Sequence, residues 1–328
     1  MNYSQLISIE NIFQAWEEFK KGKRNKHDVQ VFERNLEDNI FSLHEKLKAK
    51  SYKHGSYSEF YVNDPKRRHI HKASVADRIV HHLLYKYLYD VFDKTFIFDS
   101  YSCRIGKGTH KAIERLEKLT RIVSKNCTKD CWALKCDVKK FFDSIDHDLL
   151  KNLIKKSVKD PNINGLINEV INSFHSEAGE CKGIPLGNLT SQIFANIYMN
   201  ELDQFIKHNL KVRYYLRYAD DFIILDQSPD YLYRCIDTLK QFLTDYLKLE
   251  LHSKKIILRK FSWGIDFCGY IVLPRYILPR TKTKRRIYKK VLKGKVSRQS
   301  LKSYLGYFSH SEGFKLQQML KNNYYLKL

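Results

Sequence analysis

Apolar and charged residues alternate at helical spacing through residues 4–50, with Ile12, Phe13, Trp16 and Phe19 on one stripe and Ile40, Leu43 and Leu47 on another. That periodicity predicts helices joined by the basic turn KKGKRNKH. The pattern then shortens. YSEFYVNDPKRRHIHKAS is rich in Tyr, Val and Ile around the breaker Asn63-Asp64-Pro65, which predicts a β-hairpin with a basic tip. Val75–Phe92 returns to an amphipathic helix, and SYSCRIGKGTHKAIERLEKL turns through two glycines into another, with Thr109 as the expected N-cap.

From Cys131 the pattern changes again. CWALKCD is a short apolar strand ending on Asp137, and a helix is expected from about His147, capped by Asp146. Helices broken near Pro161 should fill Lys151 to Glu180. GIPLGNLTSQIFANIYMNELDQFI is a loop with two glycines leading into a strongly apolar helix. A strand (Lys211–Tyr218), a tight turn and a second strand (Asp221–Leu225) follow. A helix over Tyr231–Tyr246 and two further strands, LELHSKKIIL and GIDFCGYIVL, complete this part of the chain.

Composition adds a partner class. The 59 Lys and Arg residues against 36 Asp and Glu leave a net charge of +23 over 328 residues. A surplus of that size suits a polyanion, because lysine and arginine gain affinity by displacing counterions from phosphates. It is concentrated late in the chain. Between Phe267 and Ser311 no acid appears among twelve basic residues, and Tyr276, Tyr288, Tyr304 and Tyr307 are interleaved with them. Such a mixture suits a helical lobe that tracks a nucleic-acid backbone.

The seven cysteines are scattered without a CxxC pair, which points to a reduced, cytoplasmic setting and to no cysteine-based zinc site. The N-terminal stretch lacks the apolar core of a signal peptide, and no run approaches a membrane span, so no membrane association is expected.

The candidate chemistry lies in LRYADDFIIL. Adjacent Asp220 and Asp221 repel, and each costs several kcal/mol if buried unpaired, roughly. If the strand ending in Asp137 lies antiparallel beside this hairpin, three carboxylates converge. Hard divalent cations take such oxygen ligands, and a pair of them can stabilise the attacking and leaving oxygens of an in-line phosphoryl displacement. Two Mg²⁺ ions are the expected cofactors, with Mn²⁺ as a substitute.

The order of motifs resembles a reverse transcriptase from roughly Tyr52 to Tyr270, with a weaker likeness to the C-terminus. RYADDF resembles the YxDD box, with Ala219 in the variable position, and CDVKKFFDSIDHDLL resembles the segment that supplies the first metal-binding aspartate. The resemblance implies Asp137, Asp220 and Asp221 as catalytic metal ligands, with Val138 beside them. Phe142 would be the bulky ring under the nucleotide sugar, although a core role also suits it. LELHSKK resembles the segment with a lysine near the triphosphate, Lys255 being the better match and Lys254 the alternative. Lys66 and Arg68 match fingers residues that clamp triphosphate, and Asp77 and Arg78 match a helix that holds that lobe together. DFCGY resembles the primer-grip turn, which places Cys268, Gly269 and Tyr270 on nucleic acid; Lys284, Arg285 and Arg286 would grip the duplex.

The implied fold is α+β: a right-hand polymerase with fingers, a palm of antiparallel sheet backed by helices, and a helical thumb. The expected boundaries are 1–130 for N-terminal helices and fingers, 131–272 for the palm with an inserted fingers segment at about 150–184, and 273–328 for the thumb. IPLGNLTSQ has Leu186 before Gly187 and Gln192 after Ser191, where group II intron enzymes place glutamine and proline. With SYSCRIGKGTH and SYLGYFSHSEGFKL, it resembles the reverse transcriptases of diversity-generating retroelements, with Leu186, Gly187 and Gln192 near the nucleotide. That subtype implies template RNA, primer or cDNA strand and dNTPs as partners, frequent errors opposite adenine, an accessory variability determinant oligomer, and a prokaryotic or phage-encoded setting.

The alternatives are a reverse transcriptase of a retron, an abortive-infection system or a group II intron, and, in another class, a non-catalytic RNA-binding protein. Neither a maturase-like or endonuclease extension nor an RNase H domain is expected. Asp143 and Asp146 suit helix starts. The histidines 69, 71, 81 and 82 fall on a strand and a helix with no cysteine nearby, so no zinc site is expected, and GKGT at 106–109 lacks the full phosphate-loop spacing.

Overall fold

The computed structural model describes residues 1–63, 66–294 and 296–325. Asp64 and Pro65 of the expected breaker, and Lys295 of the basic tail, lie outside them. The fold is α+β, and the chain divides into two compact units, each assembled from separate stretches. The first holds 1–98, 138–205 and 241–250, and the second 99–137, 206–240 and 251–328.

In the first unit the helix Val75–Phe92 packs against Ile9–Lys20 and Leu189–Gln204. Its buried face includes Ile79, Val80, Leu83, Leu84, Leu88 and Phe92, each side chain contributing about 1.5–3 kcal/mol on leaving water. Ser74 caps it, its hydroxyl accepting from the Asp77 N–H. Leu189–Gln204 is buried on most of its faces, with Thr190, Ser191, Asn196 and Asp203 buried beside its apolar residues. The helix His147–Ser157 is capped by Asp146 as its sequence predicts, and the break at Pro161 is a helix start, with Pro161 in the first turn and Asp160 as cap.

Asp77 holds this unit together from within. It accepts from Tyr52 Oη at 2.7 Å and Ser74 Oγ at 2.6 Å, while Arg78 pairs with Asp28. The expected hairpin is present as β1 (Ser58–Val62) and β2 (Arg68–Lys72), antiparallel, with Glu59 opposite His71 and Tyr61 opposite His69.

Two histidines of this core make its stability pH-dependent. Burial holds His81 down to about 3, with His54 adding repulsion against the attraction of Asp77, and burial holds His82 down to about 4. Both are neutral when folded, whereas an unfolded histidine protonates near pH ~6.5. Between those values the unfolded chain binds more protons, so stability present above pH ~6.5 is lost as pH falls toward 4. Melting temperature should drop by roughly 4–8 °C between pH 7 and 5 from His81 alone. Melts of wild type and His81→Gln across that range check this; parallel curves would refute it.

The second unit is built on a sheet ordered β4-β5-β3-β6, with every neighbouring pair antiparallel. Its strands are β3 (Trp132–Asp137), β4 (Tyr214–Tyr218), β5 (Asp221–Asp226) and β6 (Ile257–Lys260). The helix Thr109–Val123 backs it, burying Ala112, Ile113, Leu116 and Leu119 in one core with Ala133, Leu216, Ile223 and Leu225. A second sheet follows: β7 (Ile265–Phe267), β8 (Tyr270–Val272) and β9 (Ile277–Pro279). The basic tail forms the helices Thr281–Leu292, Arg298–Ser309 and Phe314–Tyr325 around Ile287, Val291, Leu301, Phe308 and Leu320.

Three local expectations need correction. Gly108, at φ +127, is the N-cap, and Thr109 is the first helical residue, its hydroxyl donating to Tyr218 Oη. LELHSKKIIL is not one strand, because the His252 N–H donates to the Asp137 carbonyl and Ser253–Lys255 curl into a 3₁₀ turn before β6. GIDFCGYIVL is the hairpin β7–β8, since Cys268 at φ +46 and Gly269 at φ +91 both adopt the left-handed conformation of a two-residue turn. No described helix is long and apolar enough to cross a membrane.

Candidate active site

The register of the four-stranded sheet brings the expected acids together. Asp137, the last residue of β3, pairs directly with Asp221, the first residue of β5, and Tyr218 pairs with Asp221 across the β4–β5 turn. Directly opposed residues carry their Cβ atoms about 4.5–5.5 Å apart. Ala219 and Asp220 form the turn itself. Ala219 has φ +55, a left-handed conformation that costs a residue with a Cβ roughly 1 kcal/mol.

Arg217 supports that turn from below. It is fully buried; Nη1 donates to the Ala219 carbonyl at 2.9 Å and Nη2 to Ser100 Oγ at 3.1 Å. Its backbone bonds to Asp99 and Tyr101, and Asp99 in turn accepts both arms of Arg115, from the helix behind the sheet.

Each strand acid has a lysine. Lys255 Nζ lies 2.7 Å from Asp137 Oδ1, and Lys135 Nζ lies 3.1 Å from Asp221 Oδ2 and 2.9 Å from the Asp266 carbonyl. Burial nevertheless pushes the Asp221 carboxyl up to about 6; Lys135 opposes the rise, while Asp137 and Asp220 add to it. Asp221 Oδ1 is buried and has no hydrogen-bond partner among the described residues. A crowded carboxylate set with one orphaned buried oxygen fits a hard divalent cation, which would satisfy that oxygen and offset the repulsion.

Other expected residues of the second unit surround the β7–β8 turn. The Gly269 carbonyl accepts from Tyr307 Oη at 2.5 Å and from the Arg280 N–H at 2.9 Å, and Tyr270 Oη donates to the Tyr307 carbonyl at 2.8 Å. Cys268 and Gly269 are thus fixed at a braced tip. Lys284, Arg285 and Arg286 lie on Thr281–Leu292, with Arg285 exposed.

The remaining expected residues belong to the first unit. Lys66 and Arg68 are exposed, Arg68 opening β2. The Leu186 carbonyl accepts the His71 N–H, and Asn188 Nδ2 donates to the His71 carbonyl at 2.9 Å, so the loop lies against β2. A Cβ on Gly187, at φ +111, would meet Ile70 Cγ2 at 2.9 Å. Ser191 Oγ closes the loop onto the Pro185 carbonyl, and Gln192 is exposed. Val138 is buried; Phe142 is half-buried beside Phe141, its carbonyl bonded to the Ile184 N–H.

Sequence reasoning assigned no role to Lys135 or Arg217. A signal existed for Lys135: it stands two residues before Asp137 and therefore shares its face of the strand. Arg217 was visible only as a lone charge at an otherwise apolar strand position.

A family profile described as reverse transcriptase (RNA-dependent DNA polymerase) matches residues 53–272. Among curated proteins, the chain is 34% identical over 143 residues to an uncharacterised 91 kDa protein of a cob intron in Schizosaccharomyces pombe, covering 42% of this chain and 17% of that one. It is 24% identical over 308 residues to the group II intron-encoded protein LtrA of Lactococcus lactis subsp. cremoris, covering 73% and 50%. The chain thus spans half or less of the length of these two relatives. Among solved structures, apo telomerase from Candida tropicalis superposes with a TM-score of 0.54 at 12% identity, over 78% of this chain and 53% of that one.

Proposed function

The chain belongs to the reverse transcriptase (RNA-dependent DNA polymerase) family, and from that premise we propose that it copies an RNA template into cDNA at Asp137, Asp220 and Asp221. The observation that carries this is the β3–β5 register, which pairs Asp137 with Asp221 beside the Ala219-Asp220 turn. These carboxylates, with the Val138 carbonyl next in the chain, would hold two Mg²⁺ ions or Mn²⁺ in their place. When bound, such ions lower the barrier by stabilising charge on the attacking and leaving oxygens. The chain's own residues then position the substrates. Lys66, Arg68 and Lys255 bind triphosphate, Phe142 packs under the sugar, and the braced tip Cys268–Tyr270 carries the primer end. Lys284, Arg285 and Arg286 neutralise duplex phosphates. On this reading residues 1–130 are the N-terminal helices and fingers, 131–272 the palm with its inserted segment, and 273–328 the thumb.

The finer reading is a diversity-generating retroelement enzyme, acting in the cytoplasm with an accessory variability determinant oligomer and prone to errors at template adenine. Its support is the loop 186–192. Half-buried Leu186 stands where group II intron enzymes carry glutamine, and the loop leans on the strand that begins with Arg68. Hydrogen bonding discriminates between bases by only a few kcal/mol, roughly, so fidelity depends on how firmly the nascent pair is held. An aliphatic Leu186 withholds a polar contact, and triphosphate binding through Arg68 is indifferent to correct pairing. The intron-encoded relatives favour the other reading, an enzyme of the group II lineage.

Sequencing cDNA made on one RNA template separates the two. Wild type should misincorporate preferentially opposite adenine, and Leu186→Gln, alone or with Gln192→Pro, should lower that class of error more than the others. A flat wild-type error spectrum would favour the group II lineage; equal spectra in wild type and variant would overturn the loop mechanism.

A further inference from the structure

We propose that Glu59, His69 and His71 bind a divalent cation of the zinc class on the β1–β2 hairpin, separate from the carboxylate site. Residues two apart on a strand share a face, and Glu59 stands directly opposite His71 in the register, so one face of the hairpin carries all three side chains. Glu59 Oε2 lies 3.1 Å from His69 Nε2, and Glu59 Oε1 lies 3.5 Å from His71 Nε2. The three donor atoms lie within 4.8 Å of one another. Tetrahedral zinc, with bonds of about 2.0–2.1 Å, spaces its ligand atoms roughly 3.3 Å apart. Glu59 meets the two rings through different oxygens at separations near that spacing, so rotation of the carboxylate and of the rings would bring one oxygen and both nitrogens onto the ion.

The imidazoles are held in place. His71 packs against the edge of Phe174 at 4.7 Å, and its backbone is hydrogen-bonded on both sides, to Leu186 and Asn188. His69 stacks on Tyr61 at 4.5 Å with the rings 9° from parallel.

Two imidazoles and one carboxylate suit Zn²⁺ or Co²⁺ and not Mg²⁺, which selects oxygen donors. A fourth position stays open on the exposed side of Glu59. The ion would bridge β1 to β2, and a two-stranded ribbon is marginal by itself, so binding would clamp the hairpin that begins β2 at Arg68.

The test is a Co²⁺ titration of untagged, metal-stripped full-length protein in excess Mg²⁺, followed by d–d absorption. One equivalent should bind with the intense bands of tetrahedral Co²⁺, and Zn²⁺ should displace it. His69→Gln and His71→Gln should each weaken binding by at least about tenfold, and Glu59→Gln, which keeps the hairpin's polarity, should do so too. Circular dichroism checks that the variants remain folded. Absent tetrahedral bands in wild type would overturn the proposal, leaving Glu59 as an ion-pair partner only. A Glu59→Gln protein that titrates like wild type would also overturn it, placing the ion on others of the 13 histidines.

Discussion

Replacing Asp220 by alanine is expected to cut primer extension by about 10³-fold or more while leaving RNA binding intact. The loss follows from charge: a ligand removed from a two-ion site forfeits several kcal/mol of transition-state stabilisation, and roughly 1.4 kcal/mol corresponds to each factor of ten. Binding should survive because affinity for a polyanion comes from the +23 surplus, much of it in the tail after Phe267. Loss of one carboxylate also relieves repulsion on Asp221, whose proton affinity is raised in part by Asp220. Single-turnover extension, filter binding and a thermal melt on the same preparation decide the matter. Extension within tenfold of wild type would remove Asp220 from the metal site.

The second large effect is expected at Arg217, a positioning residue that touches no substrate. Arg217→Met preserves bulk but removes the donors to the Ala219 carbonyl and Ser100 Oγ. Each buried acceptor left unpaired costs about 1–3 kcal/mol, so with two of them the variant should lose roughly 2–6 kcal/mol of stability. It should also lose about 10²-fold in extension rate, because a displacement of an ångström at the reacting centre is enough for that. A purely structural role would lower the amount of folded enzyme without changing what each molecule does. The distinguishing readout is the Mg²⁺ concentration for half-maximal rate, measured on folded protein. It should rise in Arg217→Met and recover partly in Arg217→Lys, which keeps one donor. An unchanged Mg²⁺ requirement would make Arg217 a core residue and nothing more.

Much of the candidate site was readable before any fold was known, and particular residues show why. Asp137 closes an apolar run, and Asp220 and Asp221 sit in a tight turn between two apolar runs; both are local patterns of a short apolar run bounded by charge. Asp146 announced a helix start, and Pro161 announced a break that is the start of the next helix, for equally local reasons. One misread segment is shaped by a remote partner. LELHSKKIIL has the composition of a strand, but the Asp137 carbonyl captures the His252 N–H and curls the chain. The contact of Glu59 with histidines 69 and 71 was not visible in their spacing, because Glu59 comes from the other strand.

What the sequence by itself determined was the family, the kinds of element and which three acids are the candidates, because motif order, hydrophobic period and turn chemistry are written in neighbouring residues. The tertiary structure alone decided the pairing of Asp137 with Asp221, the lysines that neutralise them, the Arg217 bonds that hold the turn, and the raised proton affinity of Asp221. Those properties are Coulombic and steric. They depend on distances and burial between segments far apart in the chain, and only the packed sheet sets such distances.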